Sequence, residues 1–195
     1  ILVPPTYGMY EVSANINNVA IKKVPLTPEF QLDMQALEEA IDGHTKMIFL
    51  CSPNNPTGNS LHRQDIEVLL ENYFGVVVID EAYINFSRQK SFVSDLNSYP
   101  NLVVMQTLSK AWGLAALRVG MAFASSDIIA VMNKIKPPYN INQASQELVL
   151  KALDEVGQVN DMIRVLVEER IQLAAKLATL PTVKKVYPSD ANFLL

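Results

Sequence analysis

Short apolar runs alternate with helix-length amphipathic stretches over the first 124 residues, and this order constrains the fold more than any other feature. Several of the runs are apolar on both faces, as parallel strands buried between two layers of helices must be. The candidate strands are residues 1–3, 19–24, 47–50, 76–79, 102–105 and 119–124. Apolar side chains at helical spacing occupy residues 33–41 and 61–70 between them. The pattern predicts an α/β fold, a three-layer αβα arrangement around a mostly parallel sheet.

The character of the chain changes after Pro137 and Pro138. Two nearly continuous helices are predicted at residues 143–153 and 159–180. Two short strands, at 183–186 and 191–195, indicate the start of a small α+β C-terminal domain. We therefore predict a partial large domain over 1–155, and a connecting helix with a truncated small domain over 156–195. Because the chain starts without an initiator methionine, we expect an excised piece of a longer protein.

Composition excludes several classes of partner. The chain carries 20 acidic and 16 basic side chains, a net charge of −4, so no basic footprint for nucleic acid or an anionic membrane exists. No apolar run reaches the length of a membrane span. Cys51 alone cannot form an internal disulfide, and His44 and His62 are too far apart in sequence to predict a metal site. We expect a cytoplasmic protein without a bound metal.

Two polar clusters directly follow predicted strands, where open α/β sheets place their ligand sites. The first, residues 52–58, combines two prolines, two asparagines and Gly58, which gives either a rigid polar loop or an ordinary strand-to-helix turn. The second begins at Asp80, whose carboxylate leaves a buried strand and needs a cation or several donors. A magnesium-binding acid of a nucleotide site is disfavoured, because the glycine-rich phosphate loop with its lysine is missing.

A third cluster surrounds Lys110. Small and apolar neighbours predict a desolvated lysine whose free amine acts as a nucleophile, although a lone loop lysine is most often a solvated charge. Thr107, Ser109 and Arg118 add two hydroxyls and a planar cation, which suit a phosphate monoester. Near the N-terminus, Tyr7 follows two prolines and is suited either to stack on a planar ring or to pack in the core.

Together these clusters offer an amine for an aldehyde, an acid for a ring nitrogen, donors for a phosphate and an aromatic face, the parts that pyridoxal phosphate requires. The chain resembles the fold-type I pyridoxal-phosphate aminotransferases, and among them the histidinol-phosphate aminotransferases. The resemblance implies the large αβα domain of those enzymes. The motifs that carry it, in order, lie at residues 5–10, 53–58, 80–84, 107–111, 113–114, 117–120 and 137–140.

The resemblance implies roles for the residues of these motifs. Lys110 forms the Schiff base with the cofactor and moves a proton at the substrate Cα, and Asp80 pairs with the pyridinium nitrogen. Asn55 and Tyr83 hydrogen-bond the phenolic oxygen of the cofactor. Tyr83 is thereby counted with Lys110 and Asp80 as catalytic.

The remaining cofactor contacts are carried over in the same way. The resemblance implies that Tyr7 stacks on the cofactor ring. It also implies that Thr107, Ser109 and Arg118 hold the phosphate.

The same resemblance implies a transaminase of histidine biosynthesis. It converts L-histidinol phosphate and 2-oxoglutarate to imidazole acetol phosphate and L-glutamate, with small amino-acid and 2-oxo-acid substrates as partners, and acts as a homodimer. Two alternatives remain, a pyridoxal-phosphate decarboxylase of a phosphorylated amino acid such as threonine phosphate, and a non-catalytic pyridoxal-phosphate-binding domain. The family's N-terminal lid and its carboxylate-binding arginine fall outside the 195 residues. We therefore expect these residues alone to be inactive and to self-associate.

Overall fold

A computed structural model describes residues 1–195 and contains six α-helices and four strands. The strands are β1 (Met47–Cys51), β2 (Val76–Asp80), β3 (Leu102–Thr107) and β4 (Gly120–Ala124). The helices are α1 (Met9–Ile16), α2 (Met34–Ala40), α3 (Arg63–Asn72), α4 (Ser126–Ile135), α5 (Gln143–Leu153) and α6 (Val156–Leu177). None of the helices has both the length and the apolar character that crossing a membrane requires.

The four strands form one sheet in the order β1-β2-β3-β4. Strands β1, β2 and β3 are parallel, and β4 runs antiparallel to β3. The register places Asp80 beside Cys51 on one side and Met105 on the other. The prediction of an α/β fold with a mostly parallel sheet is confirmed.

Alternate residues of β1 face two different helical layers. Ile48 and Leu50 are fully buried in the main core with residues of α2 and α3, such as Leu37 and Ile66. Phe49 and Cys51 pack on the opposite face against Tyr10 of α1. Because side chains alternate along a strand, one five-residue strand contributes to both sides of the sheet.

Local sequence signals account for several helix boundaries. The Asp33 carboxylate accepts the backbone N–H of Ala36 at 3.0 Å and caps α2. Asn142 caps α5 in the same way, through Ser145. The predicted helix at 143–153 agrees with α5, whereas α6 begins three residues earlier than expected and ends at Leu177.

Four predicted strands do not form. Residues 1–3 lie beside residues 19–24 through backbone hydrogen bonds of Leu2 with Lys22 and Val24, but the pairing amounts to isolated bridges of Leu2 to Lys23 and to Phe49. Residues 183–186 and 191–195 are irregular, and one backbone hydrogen bond from Tyr187 to Leu195 joins their neighbourhood. A strand requires a continuous row of paired residues, and each of these pairings is too short to provide one. The short helices α1 and α4, conversely, were not predicted.

Candidate active site

The polar clusters found in the sequence gather at the carboxyl edge of the parallel strands. Asp80 ends β2, Thr107 ends β3, and the loop 52–58 leaves β1. The parallel register brings these three chain segments side by side, because neighbouring parallel strands end at the same edge. The sequence predicted the site at this carboxyl edge of the sheet.

Both oxygens of the Asp80 carboxylate accept hydrogen bonds. Oδ2 accepts the hydroxyl of Tyr10 at 2.6 Å, and Oδ1 accepts the backbone N–H of Ala82 at 3.0 Å. Burial raises the pKa of Asp80 above its ordinary value, and the bonds from Tyr10 and Ala82 and the charge of Lys110 oppose that rise. The sequence predicted a cation or several donors for this acid, and the structure shows two donors, the phenol of Tyr10 and the backbone N–H of Ala82.

Tyr10 was part of the motif at residues 5–10, but no role in the site was predicted for it from the sequence. It is buried in α1, stacks on Phe49 with ring centroids 5.3 Å apart, and meets the edge of Tyr7 at 5.6 Å. Burial also raises the pKa of Tyr10, so its phenol keeps its proton and remains the donor to Asp80.

Tyr7 lies at the outer side of this aromatic pair. Its side chain is 44 % exposed, which excludes the alternative of a core tyrosine. The 82° angle between the rings leaves a face of Tyr7 free of Tyr10. A planar ligand above Asp80 can therefore reach an aromatic surface.

The loop 52–58 is rigid because a buried amide holds it. Asn54 donates to the backbone carbonyl of Pro5 at 2.8 Å and to the hydroxyl of Thr57 at 2.7 Å, and it accepts the hydroxyl of Thr6 at 3.0 Å. The loop is thereby tied to the segment that carries Tyr7. Asn54 was part of the predicted motif but received no role of its own.

Asn55 and Tyr83 are brought together across the edge. The Asn55 side-chain amide donates to the Tyr83 hydroxyl at 3.4 Å, at the long end of hydrogen-bond distances. Tyr83 is buried against Phe86, Ala111 and Ala191. The pair thus presents an amide and a phenol at one point of the edge.

Lys110 follows the end of β3, and its amine lies 5.3 Å from the centroid of the Tyr83 ring. The prediction that its apolar neighbours desolvate it is wrong, since Lys110 is exposed. Leu108 and Ala111 are buried on either side, so the chain turns their side chains into the protein and the lysine outward. The amine forms none of the salt bridges in the protein and is accessible to a ligand.

Thr107, Ser109 and Arg118 lie in one stretch of chain around this lysine. The Thr107 hydroxyl oxygen accepts the backbone N–H of Ser109 at 3.0 Å, an arrangement that holds the turn. Arg118 adopts a left-handed conformation with φ of 56°, and its guanidinium donates to the Ala115 carbonyl at 2.9 Å. The guanidinium is exposed and keeps further N–H groups for an anion.

The C-terminal segment closes over the loop 52–58. The backbone N–H of Asp190 donates to the Gly58 carbonyl at 2.7 Å, and its carboxylate accepts the N–H of Ser60 at 3.2 Å. Phe193 meets the Tyr83 ring edge-on at 5.2 Å. These contacts were not predicted, because they join residues more than 100 positions apart in the sequence.

Arg170 of α6 ties the same segment to the body of the protein. Its guanidinium donates to the carbonyl of Ala191 at 2.5 Å and to that of Phe86 at 3.4 Å. Burial lowers the pKa of Arg170, and the charge of Asp190 opposes this effect. The arginine therefore fixes α6 and the C-terminal segment beside Tyr83.

Comparison with known proteins agrees with this geometry. The family model for aminotransferase class I and II matches residues 1–195. The chain is 54% identical over 195 residues to a histidinol-phosphate aminotransferase of Cytophaga hutchinsonii, covering 100% of this chain and 56% of that relative. The chain thus spans little more than half the length of the curated relatives it matches.

Solved structures of low sequence identity share the fold. The histidinol-phosphate aminotransferase from Clostridium acetobutylicum superposes with a TM-score of 0.89 at 21% identity, over 99% of this chain and 59% of that one. An L-threonine-O-3-phosphate decarboxylase from Porphyromonas gingivalis gives 0.83 at 24% identity, over 97% of this chain and 57% of that one. The family-model match over the whole chain establishes that this chain belongs to the aminotransferase class I and II family.

Proposed function

We propose that the protein that contains this chain is a pyridoxal-phosphate aminotransferase that moves an amino group between L-histidinol phosphate and 2-oxoglutarate in histidine biosynthesis. The observation that carries the proposal is the 54% identity, over all 195 residues, to a relative named histidinol-phosphate aminotransferase. The site geometry supports it independently, because the accessible amine, the carboxylate and the amide–phenol pair meet at one edge of the sheet.

The donor set at this edge fits pyridoxal 5'-phosphate. The exposed guanidinium of Arg118 and the hydroxyls of Thr107 and Ser109 suit its phosphate. Tyr7 offers a free aromatic face for its ring. Asn55 and Tyr83 offer an amide and a phenol for its phenolic oxygen. When bound, the cofactor withdraws electrons from the Cα of the amino substrate.

Two side chains carry out the proton chemistry in this proposal. Asp80 holds a negative charge at the ring nitrogen and so favours the protonated ring. The Lys110 amine would hold the cofactor through its aldehyde and, once a substrate amine has displaced it, would be free to move a proton between the substrate Cα and the cofactor carbon. Its exposure gives it access to both atoms.

The wider context belongs to the same proposal. We assign residues 1–155 to the cofactor domain and 156–195 to a connecting helix with the start of a small domain, a division supported by the start of α6 at Val156. Homodimer formation is supported by large apolar side chains that are exposed on α5 and α6, among them Leu150 and Ile171. A cytoplasmic location is consistent with a single free thiol, Cys51.

The decisive experiment follows both cofactor and product. The protein is mixed with pyridoxal phosphate, reduced with borohydride and digested, and the modified lysine is mapped by mass spectrometry. The unreduced protein is then given histidinol phosphate. We expect the label on Lys110 and stoichiometric appearance of pyridoxamine phosphate.

Other outcomes separate the alternatives. Release of carbon dioxide from threonine phosphate without pyridoxamine phosphate would identify a decarboxylase. Cofactor binding without either product would identify a non-catalytic binding domain. A label on a lysine other than Lys110 would refute the assignment of the amine.

A further inference from the structure

Glu81, the residue that follows Asp80 in the sequence, carries a second carboxylate that takes no part in the site described above. Glu81 is only 1 % exposed and is the one charged residue among the buried residues of the protein. Asp80 contacts α1 through Tyr10, whereas the contacts of Glu81 are with β3 and with the 3-10 helix at Phe92–Asp95. The two neighbouring acids therefore belong to different surroundings.

Three donors satisfy the Glu81 carboxylate. Oε2 accepts the hydroxyl of Ser91 at 2.5 Å and the side-chain amide of Gln106 at 2.9 Å. Oε1 accepts the backbone N–H of Phe92 at 2.7 Å. Gln106 also donates to the Ser91 hydroxyl oxygen at 3.1 Å, so the three side chains form one closed network.

No cation contacts this carboxylate directly. The nearby Arg63 pairs instead with Asp95 at 2.6 Å and with Glu67 at 2.8 Å. Burial raises the pKa of Glu81, and the three hydrogen bonds and the charge of Arg63 only partly oppose it. An apolar side chain at this position would leave these three donors without an acceptor, so the carboxylate holds three chain segments together at once.

The network connects the two strand ends that carry the site. The Glu81 backbone N–H donates to the Met105 carbonyl at 2.8 Å, and its side chain holds Gln106, the next residue of β3. Asp80 lies one residue before Glu81, and Thr107 one residue after Gln106. A main-chain and a side-chain bond thus fix the end of β2 against the point where β3 turns toward Lys110.

We propose that Glu81 is a positioning residue which, through Gln106 and Ser91, fixes the separation between the Asp80 carboxylate and the Lys110 amine. The proposal rests on the proposed function, since a ligand that reaches both groups must match that separation. A buried carboxylate suits this task because it accepts several directional bonds at once, whereas an apolar side chain leaves the strand ends free to shift.

The test exchanges the two side chains of the pair. Glu81→Gln leaves one carbonyl oxygen for three donors and turns an amide toward the amide of Gln106. In Glu81→Gln with Gln106→Glu, the carboxylate moves to β3, still accepts the Ser91 hydroxyl, and receives the new amide of residue 81. Affinity for pyridoxal phosphate is measured by titrating the apoprotein, together with the pH at which the absorbance of the bound cofactor changes.

We expect Glu81→Gln to weaken pyridoxal phosphate binding about tenfold, because a small misplacement of site groups has effects of at least this size. The absorbance transition should move to a different pH. The double exchange should return affinity to within about threefold of the wild type. Leu69→Ala, a core change in α3 that removes none of the hydrogen bonds of the network, should lower thermal stability without changing cofactor affinity.

The outcomes distinguish the two proposals. A wild-type protein that does not bind the cofactor overturns the proposed function itself. A wild type that binds, with an unchanged affinity and absorbance transition in folded Glu81→Gln, overturns the positioning role alone. If Glu81→Gln does not fold, the cofactor affinities of Ser91→Ala and of the double exchange test the positioning role instead. A weakened Ser91→Ala with a restored double exchange supports the role, and any other combination overturns it.

Discussion

Removal of the Tyr10 hydroxyl should change the ionisation of Asp80 more than any other conservative substitution in the site. Tyr10→Phe deletes one oxygen and retains the ring that stacks on Phe49. The lost bond is the 2.6 Å contact to Asp80 Oδ2, while the bond from Ala82 to Oδ1 stays. The substitution therefore tests one interaction in an otherwise unchanged environment.

The expected magnitude follows from the type of bond. A hydrogen bond to a charged group contributes about 1.5–3 kcal/mol. Since 1.36 kcal/mol corresponds to a change of one in pKa, the pKa of Asp80 should rise by about 1 to 2 in Tyr10→Phe. The direction is upward because Tyr10 opposes the effect of burial on this carboxyl.

The shifted pKa of Asp80 makes the stability of the protein depend on pH, and Tyr10→Phe increases that dependence. Burial raises the pKa of Asp80 in the folded state, so its contribution to stability is fully present below the unfolded value of 3.8 and declines as the pH rises through the folded value. Tyr10→Phe raises the folded value further. Its free energy of unfolding should therefore fall by about 1.5–3 kcal/mol at pH 7 and by much less near pH 3.

Two measurements check this reasoning in the protein without cofactor. Carbon NMR of labelled aspartate carboxyls gives the pKa of Asp80, and urea unfolding at the two pH values gives the stability difference. Tyr73→Phe is the matched control, because the buried Tyr73 hydroxyl has no hydrogen-bond partner. An Asp80 pKa that is unchanged or lower in Tyr10→Phe would refute the role assigned to the phenol.

Three further predictions concern single residues. Lys110→Ala should abolish the borohydride-stable pyridoxyl label while circular dichroism stays unchanged, because Lys110 is exposed; a remaining label at full stoichiometry contradicts this. Asp80→Asn should retain cofactor binding in titrations but lower turnover by several orders of magnitude; near-normal turnover rejects the electronic role. Gly58→Ala should lower the free energy of unfolding in urea by about 1–3 kcal/mol. Gly58 has φ of 81°, and a Cβ there would lie 2.7 Å from the Ser189 hydroxyl oxygen. Unchanged stability would show that the segment around Ser189 shifts to accommodate the added methyl group.

Patterns that depend on neighbouring residues were predictable. Strands β1, β2 and β3 were recognised because each is a short apolar run that a polar cluster follows. The order of the motifs then predicted that Asp80, Asn55 and Lys110 lie together, since parallel strands end at one edge. Helix α1 was missed because it has only eight residues; Met9, Val12 and Ile16 recur at helical spacing, but these three side chains are exposed and only Tyr10 is buried.

The predicted strands after residue 180 failed for a different reason. The two β-branched valines, Val183 and Val186, favour a strand at 183–186, but strand formation depends on a partner that the local sequence does not specify. The segment is held instead by Asp190 and by Arg170, through bonds to backbone groups. Backbone acceptors are the same at every position, so such contacts leave no signal in sequence.

The sequence by itself determined the α/β class, the chemistry available at the sheet edge and the resemblance that names the cofactor, because all three follow from residue type and spacing. Only the tertiary structure decided which groups meet. The bond between Tyr10 and Asp80 joins residues 70 positions apart, and the Glu81 network joins three separate segments. Such pairs depend on strand register and on the packing of α1 against the sheet, which arise from the whole chain rather than from any local pattern.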